Sequence, residues 1–158
     1  MSNEAEFLDH IEKNRGIIYK VINLYANDLE DKKDLYQEVV FQAWKSYANF
    51  RADSKFSTWL YRVSLNVSMT HLSKSKKMTT VKENTNPADH EERFELSERA
   101  EILYRAIRNL NELDRGIIML HLDGYNNTEI SEISGISKVN TGVKLHRIKQ
   151  QLTSILNH

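Results

Sequence analysis

The segment from Asp114 to Leu152 constrains the fold most, because its punctuation fits two helices joined by a tight turn. Asn126 and Glu129 stand three apart, the spacing at which each side chain accepts the other's backbone N–H at a helix start, just ahead of Ile130 and Ile133. Gly135 then breaks the apolar spacing where a short turn needs a residue tolerant of positive φ. Beyond it, Thr141, Leu145, Ile148 and Leu152 recur at i, i+4, i+7 and i+11, which lays them on one helix face. The other side of that helix carries Lys138, Lys144, Arg147 and Lys149, with no acid from Ser137 to His158. A short capped helix followed by a helix apolar on one side and basic on the other suits the DNA major groove. Two packed helices of an ordinary bundle, with a solvated basic face, give the same pattern.

The remainder of the chain bears on that choice. Its 158 residues suffice for one or two small domains, and with one proline and five glycines they favour helix over sheet. The absence of cysteine removes disulfides and thiolate chemistry and fits a reducing compartment. The N-terminal run MSNEAEFLDHIEKN is acidic and amphipathic, so no signal peptide is expected, and no apolar stretch approaches the ~20 residues of a membrane span. The net charge is zero, but it is unevenly placed: net −4 over residues 1–40, +6 over 41–77, −6 over 78–135 and +4 over 136–158. Two basic blocks, each beside an acidic one, predict two separate anion-facing surfaces.

Along the chain, one amphipathic helix is expected from about Glu4 to Tyr25, loosened at Gly16, with Phe7, Ile11, Ile18, Ile22 and Tyr25 on one side. A second, starting at Asp31 or Asp34 and reaching about Tyr47, turns Leu35, Val39, Val40 and Ala43 inward. A third, about Phe56 to Ser73, turns in Leu60, Val63, Val67 and Thr70 and ends in the basic tail Lys74, Lys76, Lys77. From Met78 to about Arg93 the apolar period disappears around Pro87, as in a linker. Helix resumes near Phe94, with Leu96, Leu103, Ile107 and Leu110 inward, and another runs from about Asp114 to Leu122 and stops at Gly124. The expected fold is therefore all-α: a helical domain over 1–77, a flexible acidic linker over 78–93 and a helix-turn-helix domain over 94–158.

Two faces stand out in the first domain. On the second helix Asp34, Gln37, Glu38, Phe41 and Trp44 occupy successive turns apart from Leu35, Val39 and Ala43. Polar side chains beside large aromatics suit a protein interface; the alternative is a solvated acidic face with Trp44 in the core. Around the third helix, Phe50, Phe56, Trp59 and Tyr61 stand among Arg51, Lys55, Arg62 and Lys74. Aromatic platforms with cations suit capture of unstacked bases, each worth ~1–3 kcal/mol of stacking. Core packing competes and is favoured for Trp59, whereas Arg51, Ser54, Lys55 and Asn66 are better suited to DNA contact.

The three segments resemble, in order, those of the extracytoplasmic-function group of bacterial sigma factors. DLYQEVVFQAW (34–44) is similar to the segment that docks on the largest polymerase subunit, and FRADSKFSTWLYRVSLNVSMTHLSK (50–74) to the segments that open and read the −10 element. Residues 110–152 are similar to the region whose helix-turn-helix reads the −35 element. The resemblance implies core RNA polymerase contacts at Asp34, Gln37, Glu38, Phe41 and Trp44, and −10 contacts at Arg51, Ser54, Lys55, Phe56, Trp59, Arg62, Asn66 and Lys74. It implies base contacts from Gly142, Val143, His146 and Arg147, with Lys138, Asn140 and Lys144 near the DNA backbone. Many members carry Thr-Val-Lys-Ser-Arg where this chain has Asn140-Thr141-Gly142-Val143-Lys144. Gly142 removes a long donor and costs roughly 1 kcal/mol of helix propensity, while Val143 offers only apolar contact, for instance to a thymine methyl. Partners implied are core RNA polymerase, promoter DNA and an anti-sigma factor, in the bacterial cytoplasm, with the linker tethering the two readers.

No enzyme signature competes with this. His10, His71, His90, His121, His146 and His158 are scattered, without metal-ligand spacing, and no phosphate loop or nucleophile elbow occurs. No catalysis, cofactor, metal or small-molecule substrate is expected, and the protein is not expected to be membrane-embedded. Two other readings are a stand-alone helix-turn-helix regulator of a palindromic operator and a helical adaptor without a DNA role.

Overall fold

The computed structural model describes residues 2–50, 55–78 and 97–157, and among them all regular structure is α-helical. The described residues fall into two compact units, an N-terminal one ending at 78 and a C-terminal one beginning at 97.

The N-terminal unit comprises α1 (Ser2–Lys13), α2 (Arg15–Tyr25), α3 (Leu29–Tyr47) and α4 (Phe56–Met78), with α4 packed on α2 and α3. The single long first helix expected from sequence is instead two, and the break lies at Asn14, not Gly16. The Asn14 side-chain amide donates to the His10 carbonyl at 2.8 Å and its backbone N–H to that of Ile11 at 3.0 Å, so α1 ends on a polar side chain without needing glycine. Helix α3 starts earlier than expected, because the Asp28 carboxylate accepts the Asp31 N–H at 2.7 Å as N-cap. Phe7, Ile11, Ile18, Ile22, Tyr25, Leu35, Val39 and Ala43 are buried as expected, while Val40 is half-buried.

The inward face of α4 differs from expectation. Phe56, Leu60, Tyr61, Ser64, Leu65 and Ser68 are buried, Val63 and Val67 are half-buried, and Thr70 is exposed with its hydroxyl donating to the Asn66 carbonyl. Two fully buried serines on this face leave room for close helix approach, which larger side chains would block. Met78, expected to open the linker, is the last residue of α4; the rest of the 78–93 segment lies outside the described residues, as does Leu96.

The C-terminal unit comprises α5 (Glu98–Arg108), α6 (Glu112–Leu122), α7 (Asn127–Ser134) and α8 (Lys138–Leu156), with α5, α6 and α7 all packed against α8. Each helix has a side-chain N-cap: Ser97, Asn111, Asn126 and Ser137. Helix α6 closes with Gly124 at φ 95°, its N–H reaching the His121 carbonyl while the Tyr125 N–H reaches that of Leu120. The expected capping box is present in full, with both Asn126–Glu129 bonds at 2.9 Å. Gly135 turns the chain between α7 and α8 at φ 84°. Thr141, Leu145, Ile148 and Leu152 are buried, as are Ile107 and Leu110, whereas Leu103 is half-buried.

Candidate functional site

In the N-terminal unit all five side chains of the predicted protein-binding face, Asp34, Gln37, Glu38, Phe41 and Trp44, are exposed on α3 while Leu35, Val39 and Ala43 are fully buried beneath them. The structure divides this face into two flanks. Gln37, Phe41 and Trp44 join Phe7 and Leu8 of α1 in an apolar groove rimmed by Glu4. Asp34 and Glu38 instead border a cleft against α4 with Asn66, His71 and Lys74. Phe41 is 54 % exposed and Trp44 41 %, a large apolar surface that contributes little to the core. The Trp44 ring nonetheless meets the buried Phe7 at 5.1 Å, so it is partly packed as well as exposed. Tyr36 lines the same groove, and its phenol pKa is raised by burial and then by neighbouring Tyr19, whose ring stacks on it at 5.0 Å.

The predicted −10 residues lie along α4 and just before it. Arg51 and Ser54 are outside the described residues. Lys55, Arg62, Asn66 and Lys74 are exposed, and Trp59 is half-buried between them. Trp59 belongs to an aromatic cluster, 5.2 Å from Phe50 and 5.3 Å from Phe56, with Tyr47 at 6.3 Å. Phe56 itself is buried, packs on Trp59 within the cluster and stacks on His10 at 4.7 Å, whereas Tyr61 is buried in the core. Sequence inspection missed Tyr47, which touches Phe7, Trp44, Phe50, Phe56 and Trp59 and joins the apolar groove to the aromatic ridge. It also missed the 2.8 Å bond from His71 to Asp31, which ties α4 to the start of α3.

In the C-terminal unit, Lys138, Asn140, Val143, His146 and Arg147 are exposed on α8. Gly142 is half-buried, and a Cβ added there would lie 3.7 Å from the Asn127 side-chain amide at the start of α7, so this position borders a neighbouring helix. The Lys144 ammonium lies 3.3 Å from the Asp114 carboxylate of α6, a partner the sequence reading did not foresee. Replacing Lys144 with methionine is expected to lower stability by ~1–2 kcal/mol, since it leaves a mostly buried carboxylate unpaired, a cost reduced because the lost lysine was about one-third exposed. Chemical denaturation of the two proteins tests this, and equal stability would mean the pair is electrostatically idle. At the end of α6 the His121 pKa is lowered, first by burial and second by the Lys149 charge on α8. Residue Val139, which sequence inspection passed over, is 76 % exposed one turn before Val143; its position opposite the buried Leu145 face was the available signal.

The sequence profile described as Sigma-70 region 2 matches residues 10–78, and that described as Sigma-70, region 4, matches residues 100–152. The chain is 37 % identical over 57 residues to the RNA polymerase sigma-H factor of Pseudomonas aeruginosa, a match covering 34 % of this chain and 30 % of that protein. It is 24 % identical over 168 residues to the ECF RNA polymerase sigma factor SigW of Bacillus subtilis, covering 95 % of this chain and 88 % of that one. Its fold is similar to that of the sigma factor RpoE solved in complex with the anti-sigma factor NepR from Bartonella quintana, with a TM-score of 0.72 at 17 % identity over 98 % of this chain and 96 % of that one.

Proposed function

The chain belongs to the extracytoplasmic-function group of the sigma-70 family, and from that premise we propose that it binds core RNA polymerase, recognises −35 and −10 promoter elements and promotes initiation of transcription. The observation that carries this is the pairing of two kinds of surface in one chain. An exposed acidic-aromatic face of α3 adjoins a basic-aromatic ridge of α4, and a capped helix-turn-helix presents a cationic α8. In this proposal Gln37, Phe41 and Trp44 anchor the polymerase through the apolar groove, with Asp34 and Glu38 along its other flank. Trp59, on its aromatic support, stacks an unpaired −10 base while Lys55, Arg62 and Lys74 hold phosphates and Arg51, Ser54 and Asn66 add polar contacts. Stacking worth ~1–3 kcal/mol per base offsets the cost of unstacking it, so an opened duplex is favoured without any chemical step. Arg147 and His146 read −35 base edges, with Lys138 and Asn140 at the backbone. The segment over 78–93 tethers the two readers, and the larger enzyme sets their separation. The protein acts in the bacterial cytoplasm as a non-catalytic subunit held in check by an anti-sigma factor.

Transcription from promoter templates with purified core polymerase, with and without the chain, tests the proposal. Specific transcripts only when both are present support it; identical start sites without the chain, or tight operator binding by the chain alone, would sink it. Arg147→Ala is expected to weaken −35 binding by ~1–3 kcal/mol for a lost bidentate base contact. Unchanged affinity and unchanged sequence preference in that variant would remove Arg147 from the reading face.

A further inference from the structure

The outward face of α8 is not basic at its centre. Val139, Val143, His146 and Gln150 follow one another along the side opposite the buried Thr141, Leu145, Ile148 and Leu152, and all four are exposed. Lys138 and Lys149 lie on one flank of this stripe, and Arg147 borders the other. Val139, at 76 %, is the most exposed large hydrophobic side chain among the described residues, and Val143 is 45 % exposed. Neither contributes to the core, and valine is a weaker helix former than the alanine, lysine or glutamate a solvated position usually holds. An apolar pair between cations, on a helix segment without acids, fits a polyanion that displays apolar groups at its centre.

Duplex DNA has one such group in its major groove, the thymine 5-methyl. Resting on the promoter-reading role above, we propose that Val139 and Val143 contact thymine methyls of nearby base pairs, so that hydrophobic contact helps set the −35 preference of this chain. Four residues of helix advance about 6 Å, close to two base-pair steps of about 3.4 Å each. The pair therefore spans methyls within three consecutive base pairs.

The test uses the full chain with core polymerase and templates randomised across the −35 region. Transcribed templates are expected to be enriched in thymine at two positions within three consecutive base pairs. Those templates are then remade with deoxyuridine, which keeps every hydrogen-bonding group and removes only the methyl. Each uracil is expected to raise the chain concentration needed for half-maximal transcription about fourfold, the factor for burying one methyl-sized group. Val139→Ala and Val143→Ala should each erase the thymine–uracil difference at one position and leave it at the other. Arg147→Ala should weaken both templates alike and keep their ratio. Equal use of thymine and uracil at every −35 position, or a ratio that survives both valine substitutions, overturns the assignment. So does a loss of polymerase binding in the valine variants with the ratio intact, since the pair then meets protein. A chain that yields no promoter-specific transcript from any template fails the sigma-factor reading itself, and this inference falls with it.

Discussion

Replacing Phe7 with alanine is expected to destabilise the N-terminal unit by ~3–5 kcal/mol, the range for truncating a buried phenylalanine. Phe7 is 2 % exposed, and its ring lies 5.1 Å from both Trp44 and Tyr47. Among its described side chains, helix α1 buries Phe7 and Ile11 alone, so removing the larger of them leaves the helix weakly docked. Both tryptophans of the chain, Trp44 and Trp59, lie in this unit, so the fluorescence change on denaturant unfolding reports on it selectively. A loss below about 1 kcal/mol would show that α1 does not rest on Phe7. The same variant removes one wall of the Leu8–Phe41–Trp44 groove, so polymerase affinity should fall even at temperatures where the unit stays folded.

Ile130→Ala is expected to cost ~2–5 kcal/mol in the C-terminal unit. Ile130 is fully buried on α7, an eight-residue helix that packs on α6 and α8. A helix this short is not stable by itself, so α7 depends on Ile130 and Ile133 for its place beneath α8. Amide hydrogen exchange resolved by segment measures this: protection across α7 and α8 should drop sharply, while Val139→Ala, an exposed substitution, should leave it unchanged. Unaltered protection of α7 in Ile130→Ala would contradict the packing described.

The helix-turn-helix was legible because local rules alone determine it. A reciprocal cap at Asn126 and Glu129, a glycine forced to positive φ at 135 and an apolar period on α8 are each written in neighbouring residues. The α4 register was not, because Val63 and Val67 look more like core residues than Ser64 and Ser68 do. Which face turns inward there is decided by how closely other helices approach, a tertiary property. The break at Asn14 was missed, with only a loosening expected at Gly16, for a related reason: glycine permits a break, but a side-chain amide reaching back four residues makes one. In the candidate sites, exposure of the α3 face followed from its period, whereas Tyr47 as the hub of the aromatic cluster depended on where α1, α3 and α4 meet. Lys144 looked like one more cation for phosphate; only the fold reveals Asp114, thirty residues earlier, as its partner.

Helix α8 assigns anchoring and outward display to different residues: Thr141, Leu145, Ile148 and Leu152 hold it in place, and Val139, Val143, His146 and Gln150 do not. On the proposed reading, its target preference is therefore editable without touching its foundations. Exchanging the outer four for those of another promoter reader should redirect the chain to new sequences at nearly constant melting temperature, which makes this unit a scaffold for orthogonal gene control.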